Sequence, residues 1–305
     1  MFQIANPFGA PVYYKEIVSS TMEESRLLAA RGEAHGTVIV ADFQEQGRGR
    51  AGRPWLAVQG QNLFFTILLR FADFKAVPSA ITLRTGLAVS LAIEDFAPLL
   101  RGQVKVKWPN DLMIFSKKTA GILTESDGSL VYIGIGVNVF QREFPDQIKT
   151  KATSIWKEME KAGKSRTGRE KGERGILLGA CCACGFLRRQ RRKNPDYPAS
   201  LGSLQGKKSP CGRFFGVLCA KRNKLLGHIL ARLHKELTAD RTDWRSRLEE
   251  RLFKKDEQVR FIPGGADSPL KVEGILRGIG PEGGLIIEIE NDSRSFITGE
   301  LDVYE

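Results

Sequence analysis

Outside one stretch the sequence has no cysteine: Cys181, Cys182, Cys184, Cys211 and Cys219 all fall between residues 163 and 224. Disulfides across the rest of the chain are therefore excluded, and that part must rely on a packed core. The five thiols lack the paired C-x-x-C spacing of a zinc ribbon, so they read as reduced and incidental. Histidine is nearly missing too, and His35, His228 and His234 read as surface or packing residues rather than catalytic ones. No run of about 18 apolar residues occurs, and the opening MFQIANPFGA lacks a basic region followed by an apolar core. Neither a membrane span nor a secretory signal is indicated, and the cytoplasm is the expected compartment.

What is present is a long globular chain of 305 residues, 42% hydrophobic, with a net charge of +12. That charge is not spread evenly. Residues 163–224 hold 16 Lys/Arg against 3 Asp/Glu, whereas the remainder holds 31 against 32 and is close to neutral. The same segment lacks a sustained hydrophobic period and contains RRQRRK at 188–193, so it reads as a basic, mobile insertion of about 163–224. Its abrupt composition change at both ends also fits a frameshifted stretch of the gene.

The most distinctive local feature is GRGRAGRPW at 47–55. Glycine allows close backbone approach, and the guanidinium forks of Arg48, Arg50 and Arg53 suit carboxylates and phosphates. A solvated basic loop or an RGG-like nucleic-acid tail would have the same composition. Position argues against a tail, because the run lies between the strand-like segments 39–41 and NLFFTILL at 62–69, inside a folded sheet.

Around it the pattern alternates strands and helices. VYYKEI (12–17) reads as a strand, and Ser19-Ser20-Thr21 as the cap of a helix over 22–31 that ends at Gly32. Leu83, Leu87 and Leu91 mark a core-facing helix over 79–96. Strands follow at 104–108, 112–115, 120–125 and 130–139, and a helical region begins at 151–155. A coherent pattern resumes with an amphipathic helix from Leu225 to Leu237 and a second from Trp244 to Leu252. Four short strands, 259–262, 270–276, 285–289 and 296–301, then suggest a small β-barrel.

Five motifs in this order, SST (19–21), GRGRAGRPW (47–55), KWPND (107–111), KTAGIL (118–123) and GIGVNV (134–139), resemble the biotin protein ligases. The resemblance covers roughly 1–160 and 225–305. It implies an α+β fold: a class II synthetase-like catalytic domain over 1–253, with a mixed sheet flanked by helices, and a C-terminal SH3-like β-barrel over 254–305. It implies that biotin is activated with ATP and Mg²⁺ to biotinyl-5′-AMP and passed to a lysine of a biotin carboxyl-carrier protein domain. By position, Ser20, Thr21, Gln44, Arg48, Gly49, Arg50 and Lys118 would meet biotin, and Arg50, Arg53, Trp55 and Asn110 would meet ATP. Arg48, Arg50, Lys118 and Asp111 would serve catalysis, with Asp111 helping to organise the metal ion. Where many members carry Asn after Ser-Thr, this chain has Met22.

The resemblance agrees with the chemistry, because a carboxylate attacking the α-phosphorus of ATP brings two anions together and calls for cations and positioning. A lipoate-type ligase would share the architecture. A nucleic-acid-binding protein acting through the basic insertion is the alternative of a different class. The first motif begins near residue 19, which leaves no room in this sequence for an N-terminal winged helix, so specific DNA binding is not expected. A homodimer is compatible with the family.

Overall fold

In a computed structural model, residues 4–167, 210–238, 242–264 and 268–302 are described. The basic run at 188–193 and Cys181, Cys182 and Cys184 lie outside them. A seven-stranded sheet is built from β1 (Val12–Val18), β2 (Thr37–Gln44), β3 (Asn62–Arg70), β4 (Val104–Lys107), β5 (Asp111–Ile114), β6 (Lys117–Asp127) and β7 (Leu130–Asn138), in the order β1-β2-β3-β7-β6-β5-β4. Only β1 and β2 pair in parallel, so the sheet is mixed, as expected.

Helix α1 (Thr21–Ala30) starts where the hydroxyls predict. The Ser20 Oγ accepts from the Met22 amide, and Glu23 and Glu24 sit in the positive first turn. It covers one face of the sheet through Met22 and Ala29, against Leu68 and Tyr132. The other face packs on α2 (Ile81–Phe96) and α4 (Pro210–Thr238) through Val38, Phe65, Ile67, Ala88, Ile93, Leu226 and Leu230. Each fully buried aliphatic side chain there contributes about 2 kcal/mol. Within Phe74–Phe96, which includes α2, an 18-residue window reaches a mean hydropathy of 1.5, enough by length and composition alone to cross a membrane, although Arg84 and several hydroxyl residues interrupt it. Its apolarity is explained by position, since Leu87, Ala88, Val89, Ala92 and Ile93 all lie within the core.

The boundary of the basic insertion needs correction. On its two sides α3 (Ile155–Thr167) runs past residue 163 and α4 begins at Pro210, so the coherent helix starts 15 residues before Leu225. Arg222, assigned from sequence to the insertion, is buried. Its guanidinium pairs with Asp42 Oδ1 at 2.5 Å and donates to the Asn62 carbonyl at 3.2 Å. A basic residue breaks the apolar period yet fixes the helix to β2 and β3 by charge. Cys219, on the same helix, is a free thiol.

After α5 (Trp244–Glu249), β8 (Gln258–Pro263), β9 (Val272–Ile279), β10 (Leu285–Ile289), β11 (Asp292–Phe296) and β12 (Gly299–Asp302) form a second, wholly antiparallel sheet in the order β11-β10-β9-β8-β12. This is the expected SH3-like unit, with five strands instead of four. Phe261, Leu276 and Leu285 share one cluster with Leu83, Leu87, Val106 and Trp108, so the small sheet is seated on α2 and β4.

Candidate active site

Strand register lays out the floor of the site. Lys107 pairs with Asp111, Asp111 with Gly121, Gly121 with Gly136, and Gly136 with Phe64, giving one row across five strands. One step deeper, Leu123, Gly134 and Thr66 form the next row. Because strand side chains alternate, both rows face the same way. The floor is cationic and acidic at the β4–β5 edge, glycine-lined in the middle, and hydroxyl-bearing at β3.

Residues 47–55 roof this floor as a closed hairpin. The amides of Gly49 and Trp55 donate to the carbonyls of Arg53 and Gly47, each at 2.8 Å. Ala51, at φ 53°, takes the left-handed turn position that glycine ordinarily fills. The indole of Trp55 lies on the glycines: a Cβ at Gly121 would come within 2.7 Å of it, and one at Gly136 within 3.2 Å. The ring meets Phe64 edge-on at 6.4 Å, and the Lys118 ammonium lies 5.3 Å from its centroid.

Every site residue expected from sequence borders this one cavity. Their engagements differ. Lys118 Nζ sits 2.7 Å from Asp111 Oδ1. Arg53 grips Glu300 of β12 with both nitrogens, at 2.9 and 2.7 Å, and this pairing holds the Glu300 carboxyl below the usual carboxylate range. Arg48 lies at the rim on Glu23, 2.9 Å away. The Asn110 amide donates to the Ile122 carbonyl at 2.8 Å, so its NH₂ pins the turn after β4. At the deep end Thr66 Oγ1 donates to Thr21 Oγ1, which donates to Gln44 Oε1, each at 2.9 Å. The Thr21 amide donates to the same Gln44 oxygen at 2.8 Å.

Two charged residues that line the cavity, Lys107 and Glu300, are not among those expected from the sequence. Lys107 is 3% exposed and lines the cavity beside Asp111; burial pushes its ammonium below the ordinary lysine value, while the Asp111 charge pulls the other way. Its signal was available, as the first letter of KWPND. Glu300 belongs to the Gly-Glu pair near the C-terminus, but nothing in the sequence shows that Arg53 is its partner. The histidines stay out of the cavity, and both His35 and His234 pack on Phe8.

Residues 14–138 match the model of the Biotin/lipoate A/B protein ligase family. That stretch resembles a biotin/lipoate protein ligase domain. Over 154 residues, 48% of the chain, the protein is 38% identical to the bifunctional ligase/repressor BirA of Bacillus spizizenii, covering 46% of that protein. Over 148 residues it is 32% identical to the biotin–acetyl-CoA-carboxylase ligase of Mycobacterium tuberculosis, covering 46% of this chain and 54% of that one. The chain thus spans about half the length of these curated relatives. The biotin protein ligase of Aquifex aeolicus in complex with biotin and ATP superposes with a TM-score of 0.64 at 25% identity, covering 95% of this chain and 97% of that one. Lys107, Lys118, Arg50 and Arg53 all line this cavity, and basic groups of this kind suit carboxylates and phosphates. Among the described residues no group of three or more His, Cys, Asp or Glu is placed to bind a metal ion.

Proposed function

We propose that the chain activates biotin with ATP to biotinyl-5′-AMP and transfers it to a lysine of a biotin carboxyl-carrier protein domain. The observation that carries this reading is the single cavity in which Lys118, Asp111, Lys107 and the 47–55 hairpin face a glycine floor. The acid's carboxylate lies at Lys118 and its head at Ser20, Thr21 and Gln44. The cations offset the charge of the acid and the α-phosphate as they meet, so catalysis is positioning and electrostatics rather than attack by a protein nucleophile. Trp55 forms the base-side wall and the hairpin keeps water from the acyl-adenylate.

Mg²⁺ ordinarily takes one or two carboxylates together with substrate phosphates. Asp111 fits as the carboxylate that would hold it, and the ion would supply positive charge to the phosphates. In the transfer step Asp111 orients the incoming carrier amine. The proposed setting is the cytoplasm. Release of pyrophosphate from ATP tests the reading: biotin should drive it and lipoate should not, whereas release driven equally by both acids contradicts the assignment.

A further inference from the structure

We propose that Met22 sets the size of acid head group that the cavity accepts, an inference that rests on the ligase reading above. Met22 is 3% exposed and borders the cavity at its deep end, beside Thr21 and Thr66. Its Cε lies 3.0 Å from the point where a Cβ on Gly134 would stand, so the methyl group fills the gap left by that glycine in β7. Behind it the side chain is backed by Ala29, Leu68 and Tyr132, and it cannot withdraw without opening a hole in a close-packed core.

Direction follows from the two rows of the floor. Gly134 and Gly136 are two residues apart on one strand, about 6.6 Å. The row of Gly136 carries Lys107 and Asp111, with Lys118 above it; the row of Gly134 carries none of these charges. An acid whose carboxylate meets Lys118 therefore points its far end at Thr21, Gln44 and Met22. The hydroxyl and amide groups there recognise polar atoms of the head, and the Met22 thioether stops it. Methionine is unbranched and adaptable, and truncation to alanine removes the three heavy atoms that form the stop.

The test compares wild type, Met22→Ala and Met22→Leu with two acids, biotin and a biotin carrying a methyl group on a ureido nitrogen. Acyl-adenylate formation is measured for each. Wild type should prefer biotin by a wide ratio of kcat/KM. Met22→Ala should narrow that ratio at least about tenfold, and Met22→Leu, which nearly conserves volume, should keep it within about threefold. Melting temperatures and ATP affinity, measured alongside, confirm that the variants are folded. A purely structural role for Met22 would lower stability and leave the ratio unmoved. A folded Met22→Ala protein with the wild-type ratio, or a Met22→Leu protein that loses it, overturns the assignment. Should Met22→Ala fail to fold, the Met22→Leu ratio and a Met22→Val variant, with a predicted intermediate ratio, decide it. Wild-type protein that activates no biotin overturns the ligase reading and this inference together.

Discussion

The ammonium of Lys118 stands 2.7 Å from the carboxylate of Asp111, with the face of Trp55 beside it. This pair joins the group expected to receive the acid's carboxylate to the group expected to handle the attacking amine. The ammonium has three donors, so a substrate carboxylate can share Lys118 with Asp111.

If Asp111 orients the carrier amine as proposed, Asp111→Asn should slow transfer more than activation. With purified biotinyl-adenylate and a carrier domain, single-turnover transfer should fall about 100-fold, the size of a lost orienting contact. Transfer from the preformed adenylate at the wild-type rate would exclude the role.

Lys107 gives a pH signature. Burial lowers its folded-state pKa below the ordinary lysine value, so the unfolded chain binds the extra proton and this group's contribution to stability rises with pH between the two values. Activity that needs the cation should decline on the alkaline side before an ordinary lysine would titrate. In Lys107→Arg, whose charge persists, the alkaline limb of kcat/KM should move up, while Lys107→Met should lose about 100-fold in rate and gain thermal stability.

Glu300 links the small sheet to the hairpin through Arg53. Its depressed pKa means that the link is present above the ordinary Glu value and is lost as pH falls through the lowered one. Glu300→Gln should increase protease cutting within 47–55 and speed escape of biotinyl-adenylate severalfold, measured by its appearance in filtrate. Unchanged retention would separate the small sheet from the function of the hairpin.

The floor can be tested by Gly121→Ala. A methyl group there would stand 2.7 Å from the Trp55 ring, displacing the indole or filling the ligand's space. Biotin affinity by calorimetry should drop at least about tenfold, with the melting temperature shifted by only a few degrees.

Much of this was legible in the sequence because the site is built from local punctuation. Gly, Arg and Pro-Asn-Asp occur where the chain must turn or approach a ligand, and alternation placed the ends of β3 to β7 to within three residues. The missed parts are those that depend on partners far along the chain. β11 has no buried side chain to give a period, so it merged with β12 in the reading. The first half of α4 carries Arg222 where an apolar residue would have continued the pattern, and only the distant Asp42 explains it. The Arg53–Glu300 pair spans 247 positions, and Met22 is matched to Gly134 solely by the sheet.

The most direct test of the central claim is transfer of labelled biotin to a purified biotin-carrier domain by this protein with ATP and Mg²⁺. Label should appear on the carrier lysine, require ATP and vanish in Lys118→Met; a carrier left unlabelled by folded, ATP-binding wild-type protein would contradict the account.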